Sequence, residues 1–181
     1  REQRRIVRRC FTHQVLYAVE VLRAPLMTRA LSEELVERVG FDLLDASLAR
    51  GKGVIVFMAH IGNIDLVGFT QAVRGVPISV VVKPIHWKPA QELVTLVRER
   101  TGMRLIAASR SKQVIREALA SNRVVPLLVD QHMPQHRGIV CRFFGQLAST
   151  SPAVARFAFE TGAPVHPAII VRQGLSGRHV A

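Results

Sequence analysis

The stretch from Gly51 to Leu66 reads GKGVIVFMAHIGNIDL, and it joins an apolar run to a short polar turn and a second apolar segment. Residues 53–58 form a continuous run rich in β-branched side chains, which is typical of a strand buried on both faces. Apolar residues after position 63 follow a helical period. We therefore predict a strand that ends just before His60 and a helix over residues 63–74.

The same alternation continues along the chain. Further apolar runs occur at residues 77–82, 124–129 and 165–171, and amphipathic stretches lie between them at residues 89–101, 111–121 and 151–161. Strands that alternate with helices indicate an α/β fold in which helices flank a largely parallel, layered central sheet. Ligands of such folds bind beyond the carboxyl ends of the strands, so His60 stands where a ligand is expected.

The first fifty residues differ from the rest and favour helices. Apolar residues recur at helical spacing over residues 4–22, arginines crowd at the start, and Pro25 stops the pattern. This segment is interpreted as a helix that covers the core or as a basic amphipathic helix on a membrane surface, and both can be true of one helix. We expect one domain over residues 1–181, with a helical part over 1–50 and an α/β core over 51–171. The start without Met and the end after an apolar run favour a fragment of a longer protein.

Composition narrows the class of protein. The chain has 25 Lys and Arg against 13 Asp and Glu, a formal net charge of +12, which attracts anionic partners of several kinds. Two cysteines, Cys10 and Cys141, are too few for a disulfide framework and lack zinc-ligand spacing, so we expect no metal. The apolar runs are far shorter than the ~20 residues that span a bilayer as a helix. Residues 130–150 are polar and are predicted to form a long loop.

The pair His60 and Asp65 is the first candidate for chemistry. Across a strand-to-helix turn, the chain can fold the carboxylate of Asp65 back onto the imidazole. A carboxylate so placed fixes the imidazole tautomer and leaves the other ring nitrogen to take a proton from an alcohol. The opposing interpretation is a His bonded to a backbone carbonyl and an Asp near a helix start. No Ser lies in a Gly-x-Ser-x-Gly elbow, so the sequence shows no serine nucleophile of that type.

The residues around this pair resemble the first motif of the bacterial lipid A biosynthesis acyltransferases, the lauroyl and myristoyl transferases of the lysophospholipid acyltransferase superfamily. That motif is an apolar strand, a His, four residues and an acid, with Gly-Asn after the His, and Gly51–Leu66 contains every element. The resemblance extends over residues 4–171. Its further segments are Lys83-Pro84, Arg98-Glu99-Arg100-Thr101-Gly102, Val124 to Gln131, Phe143-Phe144-Gly145 with residues 148–152, and Thr161 to Pro167.

The resemblance implies an O-acyltransferase with a glycerolipid-acyltransferase-like fold. Acyl carrier protein or coenzyme A thioester would be the co-substrate, with no cofactor, and a lipid A precursor the anionic glycolipid acceptor. His60 would be the general base and Asp65 would orient it. The substrate-binding candidates are Lys83, Arg100, Asp130, Gln131, Arg142 and Gly145, with Arg98 a weaker one. Lys83 stands where the family has Arg, and Lys lacks the planar fork that grips a phosphate.

The resemblance also implies a place and partners, and alternatives stay open. The expected location is the cytoplasmic face of the bacterial inner membrane, where the protein meets the membrane surface and the carrier protein. Other acceptors are a phosphatidylinositol mannoside, a lysophospholipid or an ornithine-type lipid. A basic nucleic-acid-binding module is the non-enzymatic alternative, but only 6% of residues are aromatic and no recognition signature is present. A catalytically inactive homologue is a third possibility.

Overall fold

A computed structural model describes residues 1–108, 111–175 and 177–181. Of Ser111 it describes only the backbone. The helices are α1 (Glu2–Arg23), α2 (Arg29–Leu35), α3 (Phe41–Leu48), α4 (Ile64–Ala72), α5 (Lys88–Arg100), α6 (Ser111–Ala120) and α7 (Ala153–Thr161), with a 3₁₀ turn at Ala24–Leu26. The strands are β1 (Val36–Glu37), β2 (Val54–Met58), β3 (Ser79–Val82), β4 (Arg104–Ala107), β5 (Val124–Leu128), β6 (Ile139–Phe143), β7 (Gln146–Thr150), β8 (Val165–Pro167), β9 (Val171–Arg172) and β10 (His179–Val180).

Parallel strands form the centre of the molecule. β2 pairs in parallel with β5 on one side and with β8 on the other, and β3 pairs in parallel with β4. A parallel bridge between Ile78 and Val124 brings β3 beside β5, so the strands follow the order β4-β3-β5-β2-β8. The predicted α/β fold with a largely parallel sheet is confirmed. Each of the four helices predicted after residue 51 begins and ends within two residues of its predicted bounds.

Helices cover both faces of this sheet because its strands are apolar on both faces. Val54, Val56 and Met58 of β2 pack on one side with residues of α3, α4 and α5. Ile55 points to the other side, toward residues of α6 and α7, and is fully buried. Burying one such side chain stabilises the fold by roughly 1.5–3 kcal/mol. Because β2 buries apolar side chains on both of its faces, packing on both faces stabilises the strand.

Helix α1 forms where the sequence predicts it, but it covers little of the core. Six of its large apolar side chains are exposed: Ile6, Val7, Phe11, Val15, Val19 and Leu22. The core-covering interpretation is therefore wrong for most of this helix, because only one narrow face, with Tyr17, Glu20 and Val21, meets the body of the protein. No helix in the described part of the chain combines the length and the apolar character needed to span a membrane.

Two predicted segments differ from the structure. The predicted loop over residues 130–150 contains an exposed antiparallel hairpin of β6 and β7, which turns at Phe144 (φ 49°) and Gly145 (φ 79°). Two successive left-handed residues form this kind of tight turn, but a Phe at the first of them is uncommon and gave no turn signal. The predicted strand over 165–171 pairs with β2 only at its start, and Val171 belongs to a small separate sheet of β1, β10 and β9.

Candidate active site

The turn after β2 positions His60 at the carboxyl edge of the sheet. Gly62 has a φ of 66°, and a Cβ built there would lie 2.0 Å from the carbonyl oxygen of Ile170, so only glycine fits this turn. Asn63 then caps α4, because its side-chain oxygen accepts a hydrogen bond from the backbone N–H of Leu66 at 3.0 Å. The Gly-Asn pair after His60 therefore fixes the path of the chain from strand to helix.

The imidazole of His60 is held by the carboxylate of Asp130. His60 Nδ1 lies 2.8 Å from Oδ1 of Asp130, and the His60 backbone N–H donates to Oδ2 at 3.0 Å. The parallel register explains the contact: β2 and β5 pair at Met58 and Leu128, and His60 and Asp130 each lie two residues further on. The side chains of His60 and Asp130 remain 47% and 35% exposed, so solvent reaches both.

The charge state of the Asp130 carboxyl group determines which ring nitrogen of His60 carries the proton. Burial alone would raise the pKa of Asp130, but hydrogen bonds from the backbone N–H and the imidazole of His60 outweigh burial and lower this pKa. An ionised carboxylate only accepts hydrogen bonds, so Nδ1 of the neutral imidazole carries the proton. The Nε2 lone pair of His60 is then available to accept a proton from a substrate.

Asp65 has other partners. The phenolic hydroxyl of Tyr17 donates to Oδ2 of Asp65, and Arg98 donates to Oδ1 from Nε at 3.1 Å and Nη2 at 2.9 Å. Asp65 and Arg98 are mostly buried, with 14% and 21% of their side chains exposed. Burial and the neighbouring Asp65 carboxylate raise the pKa of Tyr17. The carboxylate expected at the imidazole was Asp65. The one found there is Asp130, because Asp65 in the first turn of α4 turns toward α1 and α5.

Helix α1 also holds the start of α4 through Glu20. Glu20 Oε2 accepts from Nδ2 of Asn63 at 2.7 Å and from Nη2 of Arg172 at 2.6 Å. Tyr17 and Glu20 are three residues apart and share one face of α1, so this face clamps the turn that follows His60. Neither residue was predicted from the sequence, because one Tyr and one Glu in an amphipathic helix resemble ordinary polar-face residues.

A cavity of about 1520 Å³ opens at this edge of the sheet, and His60 and Asp65 both line it. Much of its wall is apolar, with side chains of Val21, Phe41, Leu44, Val56, Met58, Val80 and Leu128. This volume exceeds the ~300–1,000 Å³ of common small-ligand pockets, so the cavity has room for a long chain as well as a polar group.

The structure brings some predicted substrate-binding residues to this cavity and leaves others away from it. Lys83 and Gln131 line the cavity, and Asp130 contacts His60. Arg98 lines it too, but its guanidinium binds Asp65. Arg100, Arg142 and Gly145 do not line it: Arg100 is exposed at the end of α5, and the hairpin carries the other two into solvent. Within residues 1–108, 111–175 and 177–181, no three His, Cys, Asp or Glu side chains are grouped to hold a metal ion.

The chain is similar in sequence to several known acyltransferases. The chain is 30% identical over 157 residues to a phosphatidylinositol mannoside acyltransferase of Mycobacterium tuberculosis, covering 83% of this chain and 49% of the relative. A protein with the same name from Mycolicibacterium smegmatis is 24% identical over 166 residues, covering 90% and 54% of the two chains. A lipid A biosynthesis acyltransferase of Haemophilus influenzae is 24% identical over 132 residues, covering 72% and 41%.

The chain thus spans about half the length of the curated relatives it matches. The family model described as bacterial lipid A biosynthesis acyltransferase matches residues 1–180, almost the entire chain. The chain therefore belongs to the bacterial lipid A biosynthesis acyltransferase family.

Proposed function

We propose that the protein transfers a fatty acyl group from a thioester to a hydroxyl of a membrane glycolipid. The observation that carries this proposal is the imidazole of His60, which Asp130 holds at 2.8 Å on the wall of a large, mostly apolar cavity. An oriented imidazole can act as a base, and an apolar cavity can hold a hydrocarbon chain. The two together suit a substrate that has both a hydroxyl and a long hydrocarbon chain.

In the proposed reaction, Nε2 of His60 takes the proton of the acceptor hydroxyl while the hydroxyl oxygen attacks the thioester carbonyl carbon. The carbon–oxygen bond forms, the carbon–sulfur bond breaks, and the leaving thiolate takes the proton from the imidazolium. Asp130 keeps Nδ1 protonated and stabilises the imidazolium that forms in between. General-base help of this kind is worth roughly 10²- to 10⁴-fold in rate.

Asp65 has a positioning role in this scheme. Its carboxylate binds Tyr17 of α1 and Arg98 of α5, so it ties both helices to the turn that carries His60. The apolar wall that includes Val21, Val56 and Val80 then takes the acyl chain of the donor. A buried ion pair that keeps the cavity in shape explains why a carboxylate stands five residues after the His even though it does not touch the imidazole.

The donor and the location follow from charge and exposure. A formal charge of +12 suits an acidic acyl carrier protein, with coenzyme A thioesters as the alternative donor. The apolar face of α1 is exposed and basic residues lie at its start, which suits contact with an anionic membrane at the cytoplasmic face of the bacterial inner membrane. The same helix clamps the start of α4, so membrane contact occurs next to the site.

Two acceptors are favoured by different observations. The mycobacterial relatives are named phosphatidylinositol mannoside acyltransferases, which makes a phosphatidylinositol mannoside the first candidate. The family model and the Haemophilus influenzae relative favour a lipid A precursor as the second. Both are anionic glycolipids that carry phosphate and sugar hydroxyls, so the same base serves either.

The test is an acyl-transfer assay on the full-length protein in detergent micelles with a labelled acyl thioester. Each acceptor is offered separately to wild type and to His60→Ala, and His86→Ala, at an exposed position outside the cavity wall, is the matched control. We expect transfer to one acceptor that falls at least about a hundredfold in His60→Ala and stays within twofold of wild type in the control. Equal transfer by wild type and His60→Ala would contradict the proposal.

A further inference from the structure

The wall of the cavity carries more positive charge than the proposed reaction uses. Among the described residues, five lysines and arginines line it against a single carboxylate, that of Asp65. Arg98 is paired with this carboxylate, which leaves Lys83, Lys112, Arg137 and Arg156. No ion pair to any of these four occurs within the described residues. Positive charge without a protein partner in a concave site attracts an anion.

Two of these cations lie on the neighbouring helices α6 and α7: Lys112 on the first and Arg156 on the second, both exposed. Arg116 of α6 and Glu160 of α7 form an ion pair at 2.8 Å, and the Arg116 guanidinium lies 5.8 Å from the centre of the Phe157 ring. These contacts set the register of the two helices. Residues four positions apart share one helix face, so Lys112 and Arg156 each lie one turn before a member of this pair.

The ion pair of Arg116 and Glu160 therefore has no counterpart one turn earlier along the two helices. Arg116 and Glu160 form a cation–anion pair between the two helices, whereas the residue one turn earlier is a cation on each helix, Lys112 on α6 and Arg156 on α7. Like charges that face each other across neighbouring elements destabilise the fold. The helix dipoles do not compensate them, because both side chains stand in the first turns, where the partial charge of the backbone is also positive.

The topology brings this pair to the same edge of the sheet as His60. α6 leads into β5 and α7 leads into β8, and both strands run parallel to β2. Helices that precede parallel strands run opposite to them, so α6 and α7 begin at the carboxyl edge. His60, Lys112 and Arg156 all line the same cavity.

We propose that Lys112 and Arg156 bind a phosphate group of a substrate whose reacting atoms lie at His60. This proposal rests on the proposed function for the identity of the reaction, but not for the presence of an anion site. A phosphate accepts several hydrogen bonds at once and neutralises both cations, which suits a guanidinium beside an ammonium. The phosphate belongs either to the acyl donor, as in a phosphopantetheine arm, or to the glycolipid acceptor.

Binding is measured first, because it does not depend on activity. Calorimetric titration of the full-length protein with inorganic phosphate, at constant ionic strength, is compared between wild type and Lys112→Ala/Arg156→Ala. The control is Lys88→Ala/Arg104→Ala, which removes the same charge at two exposed positions away from the cavity. We expect the cavity double variant to bind phosphate about ten- to a hundredfold more weakly, and the control to bind within twofold of wild type.

Kinetics then identify the source of the phosphate. The KM of the donor is measured with an acyl-coenzyme A and with the matching phosphate-free acyl-pantetheine, and the KM of the acceptor with a phosphoglycolipid and its phosphate-free glycolipid. A rise of about tenfold in KM for the phosphate-bearing donor alone, in the cavity double variant, assigns the site to the donor. The same rise for the phosphate-bearing acceptor alone assigns it to the acceptor.

The outcomes separate this proposal from the proposed function. One outcome is that wild type transfers no acyl group, and that phosphate binding is lost in the cavity double variant but not in its control. The proposed reaction is then wrong and the anion site stands. If wild type transfers acyl groups and neither phosphate binding nor any KM differs between the cavity variant and its control, the anion site is wrong. Equal losses in both double variants would show a non-specific effect of net charge and would also overturn it.

Discussion

His60 and Asp130 meet through two hydrogen bonds although 70 positions separate them in the chain. The contact exists because β2 and β5 are parallel neighbours whose carboxyl ends finish at the same edge. One oxygen of Asp130 holds the imidazole and the other holds the backbone of the same residue. The orientation of the imidazole thus depends on the sheet register and on Asp130, and not on the residue five positions after the His.

The role of Asp130 leads to a prediction about activity. Asp130→Asn keeps the shape of the side chain but removes its negative charge, so the tautomer of His60 is no longer fixed. We expect kcat to fall about 10²- to 10⁴-fold, the range for loss of an oriented base. The measurement is steady-state transfer with saturating donor, and Asp42→Asn, an exposed change on α3, is the control. Similar kcat values in the two variants would remove Asp130 from the mechanism.

The ion pair of Asp65 and Arg98 leads to a prediction about stability. Arg98→Met leaves the mostly buried carboxylate of Asp65 without its cation, which costs about 3 kcal/mol, the lower end of the range for breaking a buried pair. Arg100→Met, two residues later on α5 and exposed, is expected to stay within about 0.5 kcal/mol of wild type. Urea unfolding measures both. Equal losses would mean that the buried pair contributes nothing beyond an exposed charge.

The close packing of Gly62 leads to a second stability prediction. Gly62→Ala places a methyl group against the carbonyl oxygen of Ile170 at a φ of 66°, so we expect a loss of ~3 kcal/mol or more. Gly51→Ala is the matched control, because its φ is 72° and a Cβ there meets no atom within 4 Å. The control isolates the backbone strain, about 1–2 kcal/mol. Similar unfolding free energies for the two variants would contradict the close approach at Ile170.

The lowered pKa of Asp130 predicts how stability changes with acid. A carboxyl whose pKa is lower in the folded than in the unfolded state stabilises the fold above its unfolded value, 3.8. This contribution is lost as the pH falls below 3.8 through the folded pKa. We therefore expect the difference in unfolding free energy between wild type and Asp130→Asn to be constant near pH 6 and to shrink below about pH 4. Denaturant titrations from pH 6 to pH 2.5 check this, and a difference that does not change with pH would contradict it.

Local patterns predicted much of the fold. The apolar run before His60 and the glycine after it indicated both β2 and α4, because the period of the apolar residues changes there. β4 was missed because Arg104–Ala107 is only four residues long and begins with an exposed Arg. The hairpin was missed because its turn uses Phe144 in a left-handed conformation, which the usual Asn-Gly signal does not cover.

The candidate site was predictable only in part, since its contacts are tertiary. The spacing of His60 and Asp65 identified the right turn but suggested the wrong partner for the imidazole. Asp130 was among the candidates because it follows a strand, yet its contact with His60 requires the order of the strands, which sequence patterns did not provide. Lys112 and Arg156 could be recognised as a candidate pair only once the ion pair of Arg116 and Glu160 had shown how α6 and α7 lie beside each other.

A double-mutant cycle on His60 and Asp130 tests the central claim most directly. The values of kcat/KM for acyl transfer are compared among wild type, His60→Ala, Asp130→Ala and the double variant, all full length. If Asp130 acts through His60, its loss costs about 10²- to 10⁴-fold in wild type and less than about threefold once His60 is absent. If the two losses multiply in the double variant, Asp130 does not act through the imidazole, and this account of the site is wrong.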